Sequence, residues 1–128
     1  MKTLKLYITE ALHVNRNTNG DYHNYRPKTK DELKELIKKL IKERGINADL
    51  NDIDTSEITD MEELFWDSNF NGDISKWDVS NVKDMRAMFY LSDFNGDISN
   101  WDVSNVKDME YMFGYSPLKK NPPKWYKE

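Results

Sequence analysis

The chain has 128 residues, and what it lacks narrows its function before any motif is considered: there is no cysteine, there are only two histidines, and no long apolar run occurs. Without cysteine there is no disulfide framework and no thiol for lipid attachment. Thr9 and Glu10 interrupt the start of the chain, which therefore lacks the run of about 7–15 apolar residues that an export signal needs. No stretch approaches the roughly 20 apolar residues of a membrane span. These absences predict a cytoplasmic or phage-associated protein with no membrane part. Hydrophobic residues make up only 38% and charged residues 33%, against about 45–50% and a quarter in ordinary domains. A thin core is expected, which argues against a large buried catalytic cavity.

The net charge of −4 is unevenly distributed. Residues 1–45 carry 11 basic and 6 acidic side chains, residues 46–117 carry 4 and 16, and residues 118–128 carry 4 and 1. A strongly acidic middle thus lies between basic ends, which argues against direct nucleic-acid binding by that middle and for a partner with a basic surface.

The middle is built from a repeat of 24 residues. Phe70–Asp93 recurs as Phe94–Pro117 with 18 of 24 positions identical, and residues 46–69 fit the same frame more loosely through Asp49, Asp54, Ser56, Asp60, Met61, Phe65 and Ser68. A fourth unit begins at Leu118 and places Trp125 in register with Trp101, and Pro122 and Pro123 stop it. Within a unit, Ile74-x-x-Trp77-x-Val79 ends in the alternation of a short strand, and Val82, Met85, Met88 and Phe89 follow at helical spacing. Ser80 or Asn81 is placed to cap that helix, and Asn71-Gly72 and Asn95-Gly96 to supply turns. One strand and one short helix per unit cannot bury an apolar face alone, whereas stacked copies can. The expected fold is an α/β repeat: a short leucine-rich-repeat-like solenoid over residues 46–117, with an N-terminal strand-loop-helix cap over 1–45 and a truncated fourth repeat as C-terminal cap over 118–128.

The motif F-N-G-D-I-S-x-W-D-V-S-N-V-K-D-M-x-x-M-F resembles the repeat of the BspA-like leucine-rich-repeat surface proteins, described also in mycoplasma lipoproteins. The resemblance covers residues 46–117 and implies a right-handed solenoid used for adhesion or protein binding, with no known chemistry. Surface members of that family carry an export signal, a lipid-attachment cysteine or an anchor, so this chain would be a small unanchored member.

In the flanks, Leu4, Leu6 and Ile8 alternate with polar residues as a half-buried strand, and His13–Arg26 reads as an Asn- and Tyr-rich loop turning at Asn19-Gly20. A helix should follow, because Thr29-Lys-Asp-Glu32 is a capping box, Leu33, Leu36, Ile37, Leu40 and Ile41 form one apolar stripe, and Gly45 is placed to end it. Such a helix is suited to covering the first open coil. Its lysines, Lys34, Lys38, Lys39 and Lys42, are diluted by Glu32, Glu35 and Glu43 and read as a solvated face.

Catalysis finds little support, since His13 and His23 both fall in the Asn-rich loop and the aspartates recur only because the repeat does. Residues 67–78 match a calcium-loop pattern at several positions, but Leu91 replaces the first ligand in the sister unit, so neither metal nor cofactor is expected. The recurring methionines and phenylalanines, with Trp77, Trp101 and Trp125, read as core. Tyr111, Tyr115 and Tyr126 are less regular and suit a contact patch. The expected partner-binding residues are those pointing outward from the short strands: Asp52 and Asp54, Lys76 and Asp78, Asn100 and Asp102. The leading expectation is therefore a non-enzymatic module that binds a basic protein through this acidic face, its oligomeric state left open. The alternatives are a phage or mobile-element inhibitor that imitates nucleic acid, and a structural part of a virion or surface assembly.

Overall fold

The computed structural model describes residues 22–127. The strand expected at Leu4–Ile8 and most of the loop after it, including the Asn19-Gly20 turn, lie outside the described residues.

The first element is the helix α1, Lys30–Arg44. Thr29 accepts the Glu32 N–H on its side-chain oxygen (3.2 Å), and the Glu32 carboxylate accepts the N–H of Lys28 (2.9 Å), so the capping exchange closes one residue earlier than the ideal box. At the other end Gly45, at φ 95°, donates its N–H to Ile41 O (2.7 Å). Leu33, Leu36, Ile37 and Leu40 are buried in the same hydrophobic cluster as Leu50, Ile58 and Phe65. Lys30 pairs with Asp60 (3.3 Å) and Arg44 with Asp52 (2.9 Å). The helix therefore lies across the first repeat unit and is tied to it near both ends.

The repeat units differ from the expected strand and helix. Among the described residues there is one α-helix, a 3-10 turn at Pro117–Lys119, four isolated parallel bridges and no strand or sheet. The α/β leucine-rich-repeat solenoid is thus incorrect for this chain. What replaces it is a stack of three coils, residues 46–69, 70–93 and 94–117, whose backbones are made of consecutive turns and meet in 24-residue register: Asp49 bridges to Asp73, Asp60 to Asp84, and Asp84 to Asp108.

The reason lies in where the N–H groups go. In the segment expected to be a strand, the Asp73 carboxylate takes the N–H of Ser75 (2.9 Å), Ile74 O takes the N–H of Trp77 (3.2 Å), and the Asp78 carboxylate takes the N–H of Ser80 (3.0 Å). The chain bends at each of these turns, and only single residues are left extended enough to bridge. In the segment expected to be a helix, N–H groups alternate between two destinations. Those of Met88, Tyr90 and Ser92 close turns onto Met85, Ala87 and Phe89, while those of Met85, Ala87, Phe89 and Leu91 reach Asp108, Glu110, Met112 and Gly114 in the next coil, at 2.8–2.9 Å. Coil one repeats the pattern toward coil two. Turning so tightly puts Glu63, Ala87 and Tyr111, then Asp67, Leu91 and Tyr115, at φ between 49° and 59°.

Inside the stack, identical side chains pile up in columns. Phe65, Phe89 and Phe113 stack at 5.5 and 5.8 Å, Phe70 and Phe94 at 6.1 Å, and Trp77, Trp101 and Trp125 at 6.5 and 6.3 Å, all within 12° of parallel. Each indole N–H is satisfied by the coil before it, Trp77 donating to Leu50 O, Trp101 to Ile74 O and Trp125 to Ile98 O at 2.8–3.1 Å. Met61, Met85, Met88 and Met112 are fully buried, so the core reading of the apolar repeat positions is correct. Gly72 is required by close approach rather than by its turn: a Cβ there would overlap the Ala48 carbonyl of the neighbouring coil.

Candidate interaction surfaces

Every coil turns three corners on an aspartate. The columns are Asp49, Asp73 and Asp97; Asp54, Asp78 and Asp102; and Asp60, Asp84 and Asp108. In each of the nine, the carboxylate accepts the N–H of the residue two positions on, at 2.8–3.0 Å. The repetition of aspartate is thus explained first as turn chemistry: the short carboxylate reaches its own backbone and fixes the bend. Serines at 75, 80 and 99 add a hydroxyl donor to the same oxygen.

The columns differ in how their charge is met. Segment 24–26 runs beside the first coil as a partial coil of its own: Tyr25 bridges to Ile53, Asn24 donates its backbone N–H to Asp52 O (2.8 Å), and Asp54 donates to Tyr25 O (2.8 Å). This register sets Arg26 on Asp54 (2.6 Å) and Asn24 on the Asp52 carboxylate (2.8 Å), while Arg44 grips Asp52 with both Nη atoms (2.9 and 3.0 Å). Burial raises the pKa of Asp52, but the hydrogen bonds from Arg44 and Asn24 more than offset it and hold the carboxyl below its ordinary 3.8. Asp54 behaves likewise, burial being outweighed by the Ser56 N–H and hydroxyl and by the charges of His23 and Arg26. In the third column, Arg86 bridges Asp84 (2.9 Å), Glu62 (2.8 Å) and Asp108 (3.6 Å).

Of the six residues expected to bind a partner, Asp52 and Asp54 are therefore engaged by the chain's own basic groups. Lys76, Asp78, Asn100 and Asp102 are exposed and lie on adjoining coils. Asp78 and Asp102 form no ion pair with another described residue, and neither do Asp73 and Asp97 in the neighbouring column. The Asn51 and Ser75 side chains, with the Ser75 N–H, lower the pKa of Asp73, and the Ser99 and Ser104 hydroxyls and N–H groups lower those of Asp97 and Asp102. All three remain charged near neutrality. Asp73 and Asp97 were not among the expected contact residues, although the repeat frame already set them in a column of their own.

Three side chains of the calcium-loop pattern at 67–78 accept backbone N–H groups of the coils. Asp73 and Asp78 bond their own turns, and Asn71 Oδ1 accepts the N–H of Asn95 (2.8 Å). Among the described residues there is no group of three or more histidines or carboxylates able to hold a metal ion. Likewise, no helix among them is long and apolar enough to cross a membrane.

The turn-rich side of the coils carries exposed aromatic residues. Trp66 is 49% exposed, Tyr111 66% and Tyr115 77%. Tyr90 stands between them, edge-on to Trp66, Tyr111 and Tyr115 at ring separations of 6.3, 6.5 and 5.6 Å. Tyr111 and Tyr115 were legible as part of a contact patch, whereas Tyr126, expected with them, is partly buried against Phe113. Trp66 and Tyr90 were not legible, because they occupy a repeat position that is Gly114 in the third coil.

Coils of 24 residues, cornered by aspartate and filled by stacked aromatic rings, define a small tandem-repeat protein with a covered first coil. The chain belongs to the family described as "Mycoplasma protein of unknown function, DUF285", which it matches over residues 31–127. No curated protein and no solved structure matches it.

Proposed function

We propose that this protein is a non-enzymatic binding module whose acidic coil face, centred on Asp73, Asp78, Asp97 and Asp102, docks a basic segment of a partner protein. One observation carries the reading: the same carboxylate column that Arg26 neutralises at Asp54 continues, without a basic partner among the described residues, through Asp78 and Asp102. Stacked like charges about 5 Å apart favour association with a cation over remaining bare. The resemblance of the repeat to BspA-like binding proteins supports the same role.

The test keeps the turn and removes the charge. Asp78→Asn with Asp102→Asn preserves the side-chain acceptor for Ser80 and Ser104, so the coil keeps its bend. A partner captured from a lysate of the source organism should bind the double variant at least about tenfold more weakly and with a shallower salt dependence. Unchanged affinity and salt slope would remove the acidic face from the interface. A captured nucleic-acid enzyme would point to the inhibitor reading, and ordered self-assembly of the chain to the structural one.

A further inference from the structure

On the turn-rich side, one small hollow is formed by residues that the acidic face does not use. Its lining is Trp66, Tyr90 and Tyr111, with Glu63 and Ala87, and its volume is about 190 Å³. That is below the roughly 300–1,000 Å³ of sites for drug-sized ligands. The repeat geometry makes the hollow. Positions 63, 87 and 111 are equivalent in successive coils, and they hold Glu, Ala and Tyr. Ala87 is therefore a gap in a column, with a carboxylate one coil before it and a phenol ring one coil after. Positions 66, 90 and 114 form the adjacent column of Trp, Tyr and Gly. Gly114 leaves the space that Tyr90 occupies, since a Cβ at Gly114 would overlap the Tyr90 ring. Tyr90 is in turn set nearly perpendicular to both Trp66 (81°) and Tyr111 (85°).

Three electron-rich rings around a small apolar floor, Tyr90 nearly perpendicular to the other two, with one carboxylate at the edge, suit a positive charge that is too poorly hydrated to prefer water. The carboxylate of Glu63 forms no hydrogen bond or ion pair with another described residue. Glu63 and Trp66 also border a neighbouring hollow that they share with Asp67, Lys34 and Lys38. A metal ion would need several oxygen ligands, which the rings do not supply, and a neutral apolar ligand would make no use of the Glu63 carboxylate.

We propose that this hollow binds an organic cation of the quaternary-ammonium class, its methyl groups held against Trp66, Tyr90 and Tyr111 and its charge facing Glu63. The site is separate from the acidic coil face, and its test does not depend on that reading.

The experiment is a titration of the full chain, followed by NMR, with choline and, in parallel, with 3,3-dimethyl-1-butanol, which has the same shape without the charge. The indole N–H signals carry an internal control. Those of Trp77, Trp101 and Trp125 are held by carbonyls of the core, so they should stay in place while Trp66 moves and the choline methyl protons shift upfield. Choline should bind at least about threefold more tightly than the neutral isostere. Glu63→Gln should weaken choline but not the isostere, and Trp66→Ala should abolish the upfield shift while the other three indole signals remain. A peptide bearing trimethyl-lysine separates the two sources of such a cation: tighter binding than choline assigns the site to a modified protein side chain, and equal binding to a free small molecule. Equal response to choline and its isostere, or no movement of Trp66 at millimolar choline, overturns the proposal. So does Glu63→Gln binding choline as the native chain does, an outcome readable even if Trp66→Ala fails to fold.

Discussion

A tryptophan in this protein has two tasks, to fill the core and to satisfy a neighbour's carbonyl. Trp101 stacks between Trp77 and Trp125 and donates its indole N–H to Ile74 O, a buried bond across 27 residues. Trp101→Phe keeps most of the apolar area but leaves that carbonyl without its donor, a loss of about 1–3 kcal/mol, to which the smaller ring adds. Urea unfolding of the variant should show a lowered midpoint with an unchanged slope. Trp125→Phe should cost less, because Trp125 is only partly buried. That the tryptophans form one column could be read from the 24-residue spacing alone. That each one holds the previous coil by a hydrogen bond could not, since the acceptor is a backbone atom that carries no mark in the sequence.

Among the elements, α1 was legible because every local signal agrees: the Thr29 cap, the stripe of leucines and isoleucines, and the glycine at its end. The units were misread because apolar residues at three and four positions, Met85, Met88 and Phe89, suit a helix and a run of tight turns equally well. The positive φ angles at 63, 87 and 111, and again at 67, 91 and 115, together with the N–H groups that reach the next coil, separate the two. None of the six is a glycine, so no residue announces the bend. Left-handed backbone costs a side chain about 1–2 kcal/mol, and more when the side chain is β-branched. Ala87→Val should therefore lower stability by at least about 1 kcal/mol, whereas Ala87→Gly should be neutral or stabilising. In a helix the order would reverse, with glycine the worse choice. Thermal unfolding of the two variants distinguishes these backbones directly.

At the scale of the whole molecule, the aspartates couple stability to pH. Asp52, Asp54, Asp73, Asp84, Asp97 and Asp102 all have pKa values lowered in the fold from the ordinary 3.8. At Asp84 burial opposes the shift and the Arg86 hydrogen bonds outweigh it. A carboxyl with a depressed folded-state pKa stabilises above its unfolded value, and that contribution disappears as pH falls through the folded one. The urea midpoint should therefore hold nearly level from neutrality down to about pH 5 and fall progressively below about pH 4. A midpoint that rises on acidification would mean that repulsion within the carboxylate columns outweighs their hydrogen bonds to the turns. The sequence by itself determined the period, the columns, the identity of the core side chains and the covering helix, because these follow from which residue types recur and at what spacing. The segregated charge was also explicit. Only the tertiary structure decided the path of the backbone within each coil and the use of each aspartate. An N–H in this stack chooses among its own turn, an aspartate two residues back and a carbonyl some 23 residues on, and the last of these exists only once the coils have stacked. Likewise, the pairing of Arg26 with Asp54 and the Asn24 hydrogen bond to the Asp52 carboxylate depend on segment 24–26 lying beside the first coil, contacts across 28 residues that no local pattern encodes.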